Sequence, residues 1–558
     1  MSAASAEAAQ GAPASEAGVA TPKTGTYGPA TAFAVAVNFI IGAGVFGLPY
    51  AFYKAGIPLT LITFGFFAFF LVQCAWWVLE VIARTSGVLA YNSAHSPAAA
   101  PPRSPSPTAS SVNTAAADEN RPLLAPGERP VNEIDYQEYS YTRFSKLFGG
   151  RAGMFTTQLM IMCYSLGTLW AYVATVGSSV AMLGFEFFVP DERCNIYHEP
   201  SHKCQMTYYA SVGAYALVVV PLSLMAIAEQ RVLQLVLTVY RFLAFGVMLV
   251  TVAVAWIVAG PFTHPEAASS ASLFDSSSLS NSLSSLSSLS SLSSSGGGGG
   301  FVTDVWQFKW EGFGLMFPSA ALALNLHWNI PDVVAPCTKK GALKGVLASA
   351  QLVSLFFYAL IGSVCAIYFN PPDPLVTLNW GTYTGRNGGW GPGPQYWWAK
   401  VVELVIVLFP ILNLINAFPL VAASLGSNVG SLFPDAEHPV QHGRLFTLVF
   451  GPTPDSPRRR IAIRLCCVVP PVILGALLGK LNVIFTVTGL FGFVLEFITP
   501  TVYFLRSSKY LVTRFGPGAD KNPYTGVFSN KFWVILAMVV GCVACLAAIY
   551  FTVSDWVM

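Results

Sequence analysis

Long apolar runs separated by polar stretches dominate this chain. Eleven of them lie at roughly 30–52, 58–83, 153–184, 207–227, 232–259, 312–331, 344–368, 397–423, 461–479, 483–505 and 532–553. Each approaches the roughly 20 residues that a helix needs to cross the hydrocarbon core of a bilayer. The third run is the longest and is expected to tilt. The pattern predicts an all-α integral membrane protein with eleven transmembrane helices within residues 30–553.

Other stretches fall outside this pattern. Residues 1–29 are rich in Ala, Gly, Ser and Pro and have no apolar core, so they read as a disordered tail. The first span is then the expected insertion signal. Residues 85–145 read as a disordered loop insert rich in Ala, Pro and Ser. Residues 267–300 form a Ser/Leu tract ending in five glycines, a flexible linker insert. Residues 370–396, rich in Gly, Pro and Trp, suit either a plain loop or a cap.

Composition and charge then narrow the class. Hydrophobic residues make up 54% of the 558 and charged residues 10%, against about 25% charged in a typical soluble domain. An ordinary soluble enzyme is excluded. The net charge is +3, and no basic cluster with interleaved aromatics stands out, so nucleic acid is not an expected partner. With the N-terminus in the cytosol, 22 of the 30 Lys and Arg fall in cytosolic segments and 7 on the opposite side. This asymmetry predicts that orientation, an odd number of spans and a non-cytosolic C-terminus. Cys194 and Cys204 then share a non-cytosolic loop, where a disulfide is expected. Cys542 and Cys545 have C-x-x-C spacing but lie in the last span without His or acidic neighbours, so a metal site is not expected there.

Candidate chemistry concentrates in spans one and six. The first reads N-F-I-I-G-A-G-V-F-G-L-P-Y-A over residues 38–51. Gly42, Gly44, Gly47 and Pro49 hold a continuous helix poorly, and free backbone at membrane depth is tolerated where it lines a cavity. A break at Gly42, Ala43 and Gly44 leaves a half-helix N-terminus that favours a carboxylate, and free carbonyls for a cation or an amine. Close helix packing at small residues is the alternative. The sixth span carries Pro318, Ser319, Asn325, His327 and Pro331 and also looks interrupted. The two spans open two five-span halves of opposite orientation, which points to a secondary-transporter site.

These features resemble the amino acid/auxin permease family of the APC superfamily. The resemblance rests on the first-span run, the eleven spans, the long second loop and the run G-L-F-G-F-V-L-E-F-I-T-P at 489–500. It implies a LeuT-like fold, a 5+5 inverted repeat with one extra helix, and amino acid transport driven by a proton or sodium gradient. It further implies that Gly42–Gly44 hold the substrate's carboxylate and amine. Asn38 matches a cation-coordinating Asn of sodium-coupled relatives. The sixth span departs from the family pattern, and His327 is only a loose match.

Ionisable groups within spans are functional candidates by default. Glu403 in the eighth span falls near a hydroxyl position of sodium-coupled relatives. It is a candidate proton site, with a solvated surface Glu as the alternative, and its polar stripe continues through Pro410 and Asn413 to Ser424. Glu496, deep in the tenth span, is the second candidate, against a buried structural carboxyl. Arg241 in the fifth span either pairs with one of these acids or snorkels to the cytosolic interface, the latter by preference. His327 suits titration, substrate contact or a structural hydrogen bond. Tyr164, Ser165, Thr168 and Tyr172 in the third span are candidate cavity-lining residues.

The polar loop contains D-E-N-R-P-L-L at 118–124. Glu119, Leu123 and Leu124 fit an acidic dileucine signal read by clathrin adaptors, which favours an endolysosomal or vacuolar membrane over the plasma membrane. Walker A, G-x-S-x-G and H-E-x-x-H motifs are lacking. The sequence therefore reads as a non-enzymatic amino acid transporter without a cofactor, using H+ or Na+ as coupling ion and proton symport by preference. A sodium-coupled symporter and a non-transporting amino acid sensor are the alternatives.

Overall fold

The computed structural model describes residues 27–94, 130–135, 140–188, 194–197, 200–224, 231–260, 304–430 and 457–557. Helix forms at every one of the eleven apolar runs. The first run is two helices, α1 (Pro29–Ile40) and α2 (Gly44–Ala55). Then follow α3 (Ile57–Ala94), α4 (Tyr141–Phe188), α5 (His202–Leu224) and α6 (Arg231–Ala259). The sixth run is again split, into α7 (Phe313–Leu324) and the short α8 (Ile330–Val334). The remainder is α9 (Leu343–Phe369), α10 (Trp397–Gly430), α11 (Pro457–Leu477), α12 (Leu481–Phe493), α13 (Thr499–Phe515) and α14 (Lys531–Val557). A five-residue π-turn, Val494–Ile498, joins α12 to α13.

Among the described residues, nine helices are long and apolar enough to cross a bilayer, and α1 with α2 forms a further, bent one. Strand pairing occurs among them only as isolated bridges. The outer surface carries large apolar side chains, Leu217 and Ile257 being 79% and 83% exposed. In water that surface is untenable, and against lipid it costs nothing. The chain is an integral, multi-pass, all-helical membrane protein.

The core is a tight cluster of α2, α4, α7 and α12. Small residues let their backbones meet. A Cβ added to Gly44 of α2 would lie 2.6 Å from Ala323 Cα of α7, and one on Gly489 of α12 would lie 1.9 Å from the Pro318 carbonyl oxygen. No side chain larger than hydrogen fits either place. Such contacts replace the hydrophobic driving force that lipid cannot supply between helices.

Several expected boundaries are corrected. The loop insert does not start at residue 85, because α3 continues to Ala94 and packs Val88 and Tyr91 against Leu511, Phe515 and Ala519. At the other end of the insert Asn132 is buried, donating to the carbonyls of Ala519 (2.7 Å) and Lys521 (3.0 Å). α4 begins at Tyr141 and turns at Gly150, whose φ of +63° suits glycine. The first residues before α1 are also placed. Tyr27 bridges to Cys337, and its hydroxyl donates to the Val333 carbonyl (3.0 Å). Residues 370–396 form an ordered aromatic cap: Trp390 packs on Tyr368, Phe369, Trp380 and Tyr383, and Trp380 donates to Thr251 Oγ1 (3.0 Å). The 267–300 tract lies outside the described residues.

A buried ionic clamp ties α3 to the segment between α13 and α14. Glu80 is wholly buried and accepts from Arg84 (3.0 Å), from Asn522 and Thr525 (3.4 Å each) and from Ser529. Arg84 also donates to Ser507 Oγ (3.0 Å) and to the Asp520 carbonyl (3.0 Å). Removing one partner of a buried pair leaves a desolvated charge. Glu80→Ala is therefore expected to cost about 3–5 kcal/mol. The check is the thermal unfolding midpoint of the detergent-solubilised protein, and an unchanged midpoint would refute the clamp.

Candidate functional site

α1 ends at Ile40 because Gly42 and Ala43 do not continue it, and α2 sets off at an angle of 57°. The carbonyls released by this break find side chains from other helices. Tyr358 of α9 donates to the Ile40 carbonyl (3.2 Å), and Asn413 Nδ2 of α10 donates to that of Ile41 (3.4 Å). Tyr172 of α4 stands over Gly42, where an added Cβ would lie 3.1 Å from its hydroxyl. No side chain caps the N-terminus of α2. Gly47, one turn on, is covered by the Phe485 ring of α12.

Arg241 is the main departure from expectation. It does not snorkel: it is 2% exposed and points inward to the break. Its Nη1 donates to Asn38 Oδ1 (2.6 Å), and its Nε (2.9 Å) and Nη2 both donate to Asn413 Oδ1. Thr238 adds a second donor to Asn38 Oδ1 (2.7 Å). α6 packs against both α1 and α10, so the guanidinium reaches an amide oxygen on each. No carboxylate pairs with Arg241 among the described residues, and the tyrosines Tyr172 and Tyr358 are within its electrostatic range. Asn38 and Asn413, read from sequence as ion ligands, thus hold a fixed cation of the protein itself.

The second break begins at Asn325, whose backbone turns extended (ψ 113°) after α7. Gln351 of α9 donates to the Leu324 carbonyl (3.4 Å). Asn325 Nδ2 donates to the Gly492 carbonyl (3.4 Å), while its Oδ1 is buried without a partner. His327 is also buried. Its Nε2 lies 3.0 Å from the Leu71 carbonyl of α3, so the ring contacts a backbone rather than open space. Ser319, on α7, is buried with a free hydroxyl, as is Ser165 on α4. Because Gly44 abuts Ala323, the two breaks adjoin. Tyr164 reaches them from α4, its ring 6.2 Å from that of Trp328. Thr168 turns its hydroxyl back to the Tyr164 carbonyl (2.8 Å) and so supports α4.

The two candidate acids separate. Glu403 is buried near the start of α10, ten residues before Asn413, which is about 15 Å along the helix. It accepts from Gln395 (2.7 Å) and pairs with Lys400 (3.3 Å), which also pairs with Glu186. It is neither a solvated surface group nor part of the breaks. Glu496 lies in the π-turn, which packs against the His327–Asn329 stretch of the second break. Cys194 and Cys204 are joined by a disulfide, with Cα atoms 5.1 Å apart. Cys542 and Cys545 are free and half-buried in α14. Among the described residues no three His, Cys, Asp or Glu side chains come together as metal ligands. Glu119, Leu123 and Leu124 lie outside the described residues.

The assembled site has one positive end. The α2 N-terminus and Arg241 favour an anion at the first break, while the second break offers unpartnered acceptors. Sequence reading missed the inward Arg241 and the roles of Tyr358 and Gln351. Each is a polar residue on an apolar helix, and only the packing reveals which carbonyl it serves. A cavity of about 1110 Å³ lies beyond α2 and α7, lined by Tyr50, Tyr53, Tyr208, Trp310, Thr486 and Thr552 among others. It stops short of the breaks, which the close-packed α2, α7 and α12 seal from it.

No protein-family profile matches the chain. It is similar to the transmembrane protein 104 homologue of Dictyostelium discoideum, 21% identical over 94% of this chain and 96% of that one. It is likewise similar to human transmembrane protein 104, 22% identical over 89% and 90%, and to the Caenorhabditis elegans homologue, 22% identical over 73% and 69%. Among solved structures, a mutant of the Eremococcus coleocola manganese transporter aligns over 95% of this chain and 94% of its own, at 11% identity and a TM-score of 0.42.

The Arg241–Asn413 contact makes a measurable prediction. Arg241→Met and Asn413→Ala should couple by about 1.5–3 kcal/mol, the range for hydrogen bonds to a charged group. A double-mutant cycle on unfolding of the purified protein checks it, and simple additivity would show that the contact contributes nothing.

Proposed function

We propose that this protein is a secondary active transporter of amino acids that works by alternating access and couples to protons. The observation that carries this reading is the meeting of two broken helices, at Gly44 and Ala323, from corresponding places in the chain. Paired breaks in a membrane bundle provide backbone and dipole ends for a substrate midway across the bilayer. The reading adopts eleven spans in the LeuT-like 5+5 arrangement with one extra helix, and the resemblance to amino acid/auxin permeases supports it. A carboxylate complements the uncapped α2 N-terminus and the buried guanidinium of Arg241. An ammonium complements the free Oδ1 of Asn325.

The coupling ion follows from the same place. The oxygens of Asn38 and Asn413 already face a guanidinium, and a sodium ion added there would meet a fixed like charge. This favours protons over sodium. The distribution of Lys and Arg supports a cytosolic N-terminus. The dileucine signal at Glu119, Leu123 and Leu124 supports an endolysosomal membrane and an adaptor partner.

Uptake of a panel of labelled amino acids into proteoliposomes tests the reading. An imposed proton gradient is expected to accelerate uptake and a sodium gradient to leave it unchanged. Acceleration by sodium alone would return the ion to Asn38. Binding without flux would make the protein a sensor. Separately, Leu123→Ala with Leu124→Ala should move the tagged protein to the cell surface. Unchanged localisation would remove the sorting role.

A further inference from the structure

Among the described residues, Glu496 is the one buried acid packed against the breaks, and its surroundings are peculiar. It is wholly buried, both of its carboxyl oxygens lack a hydrogen-bond partner, and no Lys or Arg pairs with it among the described residues. Glu403, by contrast, has Gln395 and Lys400. The groups within reach of Glu496 are neutral: Cys74 from α3 and Tyr164 from α4. The break packed against its π-turn brings His327, and α14 packs beside it through Gly541, with Cys545 one helical turn further on. None of these supplies a counter-ion.

The polar atoms around the break are neutral, and none of them donates to Glu496. His327 directs Nε2 to a carbonyl, so Nε2 holds the ring proton and Nδ1 is a bare acceptor. Asn325 Oδ1 is a second bare acceptor, and the hydroxyls of Ser165, Ser319 and Thr488 are buried without partners. Trp328 Nε1 is the fixed donor left over. Meanwhile the rings of Phe66 and Phe317 flank those of Phe493 and Phe497, with centroid distances of 5.5 Å (Phe66–Phe497), 4.9 Å (Phe317–Phe493) and 4.5 Å (Phe493–Phe497). This wall excludes water from the turn. A bare carboxylate in such a place is prohibitively desolvated. A carboxylic acid is neutral and avoids that cost.

We propose that Glu496 carries the coupling proton, a role that rests on the transport reading above. Glu496 is protonated while the second break and the π-turn are packed together, as they are in this structure. When the break parts from the turn, water reaches the carboxyl, the O–H bond opens and the proton leaves to that side. Water takes up the proton on that side, and water on the opposite face returns one to the carboxylate, with no other covalent bond of the protein changed. The π-turn suits this role because its five-residue repeat loosens the backbone ladder locally, with Thr499 Oγ1 donating to the Val494 carbonyl (3.0 Å).

Two measurements on the full-length protein in liposomes test the assignment. Infrared absorption spectra recorded at neutral pH should contain the C=O stretch of a neutral buried carboxyl. The band is expected to vanish in Glu496→Gln and to persist in Glu403→Gln. With the panel of labelled amino acids as probe, Glu496→Gln should keep exchange of internal for external substrate. It should lose gradient-driven accumulation, which for one proton is about tenfold per pH unit. Glu496→Asp should restore part of that accumulation, which a merely structural carboxyl would not do. Wild-type accumulation in Glu496→Gln, or a band unaffected by it, overturns the proposal. A wild-type chain that moves no amino acid overturns the transport reading and the coupling role together, while the infrared band still decides whether Glu496 holds a proton.

Discussion

The structure depends on satisfying backbone carbonyls where no water is present to do so. A helix broken inside a bilayer frees polar groups that each cost several kcal/mol if left alone. Here the neighbouring helices supply the missing donors. Tyr358 serves Ile40, Asn413 serves Ile41 and Gln351 serves Leu324. Two of these three donors come from α9, so α9 splints both breaks at once. Fold and site are therefore the same set of contacts. The helices that complete the bundle also make the breaks tolerable.

Asn413 stands at the centre of this arrangement. Its amide nitrogen satisfies a carbonyl of the first break, and its amide oxygen receives Arg241. An amide is suited to both tasks because it presents a donor and an acceptor side by side. The guanidinium in turn fixes Asn38, one turn before the break. The geometry of α1 is thereby tied to α6 and α10, so the first break is held from two sides.

Much of this was legible in the sequence. Gly42 and Gly44 announce the first break because glycine holds helices poorly, and Asn325 and Pro331 flank the second, whereas Pro49 and Pro318 lie inside α2 and α7 and break neither. The apolar runs located the helices, since in lipid the length of a run measures the span directly. Arg241 was misread for a definable reason. Snorkelling is a statement about distance to the interface, and a sequence does not say whether two amides wait on the other side of the helix. The π-turn left no trace either, because Val494–Ile498 carries no glycine or proline to mark a change of helical repeat. The continuation of α3 to Ala94 was hidden by its polar composition. Val88 and Tyr91 are covered there by α13, not by lipid.

The π-turn also sets the angular register of everything after it. It holds one residue more per turn than the α-helix on either side, so α13 is rotated by about 100° from the course of α12. That rotation decides which face of α13 meets α3, and hence that Ser507 meets Arg84 and that the following segment closes over Glu80. Deleting one residue from 494–498 would regularise the helix locally and turn this distant ionic cluster away from its partners. An irregularity beside the second break is thus the spacer that aligns a clamp several turns away.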